Sequence, residues 1–131
     1  MTILNKNYSI ILFKSGQITG MSAGAITALL WMLALWSPDA AFSFNIASMA
    51  VILTMVILAV VAIVASLKGH AAVLIVIFGV SFFPVGLYVL GIPHWIQWVG
   101  LANIGFLLAG LMIWRFHPPQ LADNVSPDPQ E

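Results

Sequence analysis

The sequence predicts an all-α integral membrane protein: a four-helix up-down bundle with both termini in the cytoplasm and its third helix kinked at Pro84. Three observations predict it. Of the 131 residues, 62% are hydrophobic and only 6% are charged, against roughly 25% charged in soluble domains. Lipid must therefore be the solvent for most of the surface. Four uncharged apolar stretches follow one another, each about 20 residues long, the length that crosses a ~30 Å hydrocarbon layer at ~1.5 Å per residue. Finally, the basic residues Lys6, Lys14, Lys68 and Arg115 all fall on one side if the chain crosses four times. The opposite side receives Asp39 and neither Lys nor Arg. Lys and Arg collect in cytoplasmic loops, so this segregation orients the bundle and favours an even number of crossings.

Residues 1–17 form a cytoplasmic segment in which Ile3, Leu4, Tyr8, Ile10, Ile11 and Phe13 mix with polar residues, a composition that suits a short interfacial helix. The first span is expected at about 18–36, longer than the ~7–15-residue core of a signal peptide. The second is expected at about 44–67, the third at about 71–90 and the fourth at about 95–114. Gly91-Ile92-Pro93-His94 supplies the turn between the last two, because glycine and proline break helices. Trp31, Trp36, Tyr88, Trp95 and Trp98 cluster at the outer ends of the spans, and Trp114 lies at an inner end, where amphipathic rings anchor at headgroup level. Residues 18–116 thus make one transmembrane domain. The tail, 117–131, is rich in proline and acid and is expected to be disordered in the cytoplasm.

Lipid gives helices no hydrophobic reason to associate, so small residues decide where backbones approach. Gly16, Gly20, Gly24 and Ala28 recur every four residues on one face of the first helix, a groove for close packing. Pro84 deprives the carbonyl four residues earlier of its helical partner, and Gly79 and Gly86 flank the bend. Counting residues from the inner ends brings Thr27, Thr54, Ser81 and Asn103 to roughly mid-depth, near Pro84. These side chains can join helices by hydrogen bonds, or form a small polar pocket for a solute or lipid-like ligand. Lys68 with His70, and Arg115 with His117, mark the inner ends of the last hairpin and are candidate contacts for an anionic lipid headgroup.

Several function classes lose their chemistry. Four scattered basic residues with net charge zero do not make a nucleic-acid surface. The absence of cysteine removes thiolate catalysis and thiolate metal sites. His70, His94 and His117 are not spaced as haem or zinc ligands, so no cofactor is expected. Asp39 is the sole carboxylate outside the tail, so paired acid–base chemistry is lacking and an enzyme is not expected. The four-helix small multidrug exporters are of this size but carry a carboxylate in their first helix. None is present here, which removes the usual proton carrier. The expectation is a multi-pass protein of a cell membrane, of the bacterial inner membrane by its general look. It would act by packing, as an accessory subunit with the lipid bilayer, a second copy or another membrane protein as partner. The alternative is a small-solute or lipid carrier using the region of Pro84 and Asn103.

Overall fold

The computed structural model describes residues 2–36, 45–91 and 95–116. Among them every regular element is helical and no strand occurs. The helices are α1 (Thr2–Trp36), α2 (Ile46–Lys68), α3 (Ala71–Ser81), α4 (Leu87–Leu90) and α5 (Gln97–Arg115). Three are long and apolar enough to cross a membrane: Asn5–Trp36, Ile46–Lys68 and Gln97–Arg115. The loop with Asp39, the turn with His94, and the tail from His117 onward lie outside the described residues.

Local chemistry explains where α2 starts and stops. Asn45 has extended backbone angles (φ −121°, ψ 163°), and its Oδ1 accepts the Ser48 amide at 2.7 Å. This satisfies one of the orphan donors of the first turn. At the other end Gly69 takes the left-handed conformation, φ 70°, which glycine adopts without the steric cost of a Cβ. The Gly69 and His70 amides donate to the carbonyls of Ser66 and Ala65 at 3.1 and 2.9 Å, closing a Schellman motif. Two residues therefore suffice to turn the chain from α2 into α3.

The stretch from Ala71 to Leu90 is helical but interrupted. A widened turn, Phe82–Gly86, separates α3 from α4, and inside it Phe83 leaves the helical region at φ −102°, ψ 115°. Extended angles of this kind are those favoured by a residue that precedes proline.

α1 differs from expectation in length. It runs unbroken for 35 residues, about 52 Å at ~1.5 Å per residue, so residues 2–17 continue the first apolar stretch as one rod. α1 packs along α2 and α5, and α3 packs along α5 and α2. Each long pairing is antiparallel. A Cβ on Gly16 would meet Met112 and Ile113, one on Gly20 would meet Ala109, and one on Gly105 would meet Ala23. On the α2 side, Gly20 faces Ser66 and Gly24 faces Ile63 and Ala59.

The interior has two apolar clusters. One holds Ala23, Ala62, Ala65, Leu74, Ile77, Phe106, Ala109 and Ile113. The other holds Trp31, Ala34, Ile52, Met55, Val89, Ile96 and Val99. Trp31, expected as an interfacial anchor, is 1% exposed in the second cluster. Seven residues separate it from Gly24, which returns a helix to nearly the same face, so Trp31 points inward with the glycines. Trp36, Tyr88, Trp98 and Trp114 are exposed.

Candidate functional site

Between the two apolar clusters lies a polar layer. Thr27 falls between Ala23 of one cluster and Trp31 of the other; Asn103 falls between Phe106 and Val99, and Ser81 between Ile77 and Val89. All three polar side chains are buried, at 3%, 2% and 3% exposure for Thr27, Asn103 and Ser81.

Their hydrogen bonding is incomplete. Ser81 Oγ donates to the Ile77 carbonyl at 2.7 Å and also approaches Asn103 Oδ1 at 3.2 Å. A hydroxyl carries a single hydrogen, so three acceptors, these two and the Phe78 carbonyl at 3.4 Å, share one donor. The bond back to Ile77 is the i−4 pattern of a helical serine; the contact with Asn103 ties α3 to α5. Asn103 also lies against Gly86, where a Cβ would come within 3.3 Å of Nδ2. Thr27 Oγ1 is buried with no hydrogen-bond partner among the described residues, and an orphaned hydroxyl of this kind costs roughly 1–3 kcal/mol.

The candidate pocket residues thus divide. Thr27, Ser81 and Asn103 line one layer of the interior. Thr54 does not join them: it is exposed, and its Oγ1 donates to the Ala50 carbonyl at 2.8 Å within α2. Pro84 lies in the widened turn after α3, beside the extended Phe83.

Gly16, Gly20 and Gly24 are buried at the seams of α1 with α5 and α2, while Ala28 is half-buried as the row drifts off the face. The close approach serves contacts within the chain. A further seam contact escaped sequence reasoning: Gln17 Nε2 donates to the Leu67 carbonyl at 2.9 Å, answering one of the open carbonyls at the end of α2. Phe13 closes over Gly69 from the same face of α1. The four-residue step from Phe13 to Gln17 carries the signal, since both lie on one side of a helix.

The cationic end is built from Lys68 in the last turn of α2, His70 ahead of α3, and Arg115 in the last turn of α5, all exposed. Cations suit helix C-termini, where the dipole is negative. His70 makes no side-chain cap on α3. His117 is outside the described residues. Two cavities open beside Trp114. One of about 300 Å³ is lined by Ala71, Ala72, Ile75, Val76 and Trp114; the other, of about 520 Å³, is lined by Leu111, Trp114 and Arg115. Neither lining includes Thr27, Ser81 or Asn103.

No protein-family model, curated protein or solved structure matches the chain.

Proposed function

We propose that the chain is a four-helix up-and-down bundle that crosses a cell membrane, the inner membrane of a bacterium, four times. In this reading both ends are cytoplasmic and the protein works without catalytic chemistry as an accessory subunit. The antiparallel seams support the up-and-down order. Ala71 through Leu90 rises about 30 Å, enough for a third crossing that bends where Pro84 forces Phe83 out of the helix. The segregation of Lys6, Lys14, Lys68 and Arg115 supports the orientation.

The observation that carries the subunit reading is the reach of α1. Its contacts with the rest of the chain include Phe13 over Gly69 and Gln17 on Leu67. The helix then continues about 16 Å further back to Thr2. Tyr8 and Ile11 on this arm are 63% and 59% exposed. An arm that leaves Tyr8 and Ile11 exposed beyond the Phe13 and Gln17 contacts suits a partner protein.

Affinity capture of the full chain in mild detergent tests this. A stoichiometric partner lost on changing Tyr8 and Ile11 to Ser supports the reading. A lone chain, or a partner indifferent to both changes, rejects it. The protein lacks cysteine, so single Cys residues report topology directly: Ser9→Cys and His70→Cys should react from the cytoplasm, Asn45→Cys from outside.

A second reading, a small-solute or lipid carrier, rests on the unpaired, buried Thr27 hydroxyl and on the Ser81 hydroxyl shared with Asn103. Asn103→Leu separates the two. A loss of stability of about 0.6–2 kcal/mol, the usual worth of an interhelical hydrogen bond in lipid, with partner binding intact, favours the subunit. Loss of solute uptake at unchanged expression favours the carrier.

A further inference from the structure

We infer that the groove between α3 and Trp114 is a binding site for one anionic phospholipid of the inner leaflet. The inference rests on the four-crossing orientation for its leaflet, though not for its chemistry. The groove is apolar along Ala72, Ile75 and Val76 and is bordered by the Trp114 ring, a surface that takes an acyl chain. Trp114 also lines the neighbouring cavity, whose charged member is Arg115. One side chain thus borders both the place for the chain and the place for the headgroup.

The headgroup end is electropositive for two independent reasons. Arg115 offers planar, forked donors suited to a phosphodiester. α3 begins at Ala71 with no side-chain cap from His70; the Ala71 amide donates to the Gly69 carbonyl, and the positive dipole end of the helix lies at the same mouth, which Ala71 and Ala72 line. The described residues include neither Asp nor Glu, so no carboxylate among them competes for the cation. The tryptophan belongs at headgroup depth, as interfacial rings do. The complement of this arrangement is a phosphate on an aliphatic tail.

The test is native mass spectrometry of the full chain, taken from vesicles of equal phosphatidylglycerol and phosphatidylcholine. The wild type is expected to retain phosphatidylglycerol about fivefold over phosphatidylcholine, the bias of one cation near a membrane surface. Arg115→Gln should abolish most of that bias, and Arg115→Lys should keep part of it, since the charge stays while the forked donors are lost. Ala72→Trp, at an exposed position on the groove wall, should lower retention of both lipids while leaving the melting temperature unchanged. Equal retention of the two lipids by the wild type overturns the site, as does a bias indifferent to Arg115→Gln and Ala72→Trp. Cys labelling that places the two ends across the membrane from each other would overturn the orientation alone.

Discussion

Gly20→Ala is the sharpest probe of how the bundle is held together. The added methyl would collide with Ser66 Oγ and sit 3.1 Å from Ser66 Cβ and 3.2 Å from Ala109 Cβ, so α2 and α5 are both pressed at once. Ser66 cannot yield freely, because it is fully buried and its hydroxyl donates to the Ala62 carbonyl at 2.8 Å. Overpacking of this kind costs about 1–3 kcal/mol, and a disturbed hydrogen bond adds about 0.5–1.5 kcal/mol. Alanine recovers up to about 1 kcal/mol of helix propensity over glycine. The net expectation is a loss of about 0.5–4.5 kcal/mol. Gly79→Ala is the control, since nothing lies within 4 Å of its Cβ; it should be neutral or stabilising by up to about 1 kcal/mol. Reversible unfolding in mixed micelles, followed by circular dichroism against the mole fraction of denaturing detergent, reads both. Adding Ser66→Gly removes the obstructing atoms, so the pair should be coupled by at least about 1 kcal/mol in a double-mutant cycle. If Gly20→Ala matches Gly79→Ala, or the cycle closes additively, the glycine seam is not what holds α1 in place.

Three further outcomes follow from the same geometry. Gly69→Ala forces a Cβ into the left-handed region, at about 1–2 kcal/mol, and against Phe13 Cζ at 2.8 Å; a total loss of about 2–3 kcal/mol is expected in the same titration. Trp31→Ala, in the core, should cost about 3–5 kcal/mol, while Trp36→Ala, which is 85% exposed, should cost far less; equal losses would contradict the inward placement of Trp31. Thr54→Val should leave stability within about 0.5 kcal/mol, because its hydroxyl is satisfied inside α2; a loss above 1 kcal/mol would mean that Thr54 meets another helix.

The sequence made the helical runs legible, but much less of which way each helix faces. A charge-free stretch long enough for lipid is readable from composition, and the glycine row is readable from its step of four. Azimuth is another matter. A soluble helix advertises its buried face by contrast with a polar one, and here both faces are apolar. Thr54 illustrates the loss: depth counting put it near Asn103, but the buried face of α2 runs through Ile52, Met55, Ala59 and Ala62, and Thr54 lies on the far side. Trp31 was open to a better reading, since its seven-residue step from Gly24 was visible. The continuity of α1 back to Thr2 was hidden by the mixture of polar and apolar residues before Lys14. In the candidate site, Ser81 and Asn103 come together, while the unpaired state of Thr27 depends on tertiary packing that periodicity does not encode.

The polar groups have a further consequence for specificity. Apolar helices in lipid pack almost as well after a slide of one turn, because Leu against Val differs little from Val against Ile. Something must choose the register. In this chain the choosers are point contacts: Gln17 on the Leu67 carbonyl and Ser81 with Asn103. A slide of α1 by ~5.4 Å would bring Gly16 or Gly24 toward the place of Gly20, which the glycine row tolerates, but would move Gln17 away from its carbonyl. The glycines let the backbones approach in either register, and the hydrogen bonds favour the right one. Neither bond needs to contribute more than a kcal/mol or so, provided the penalties fall together. On this view the Ser81–Asn103 contact matters beyond its energy, because a continuous apolar interior would leave the helices free to shift along one another.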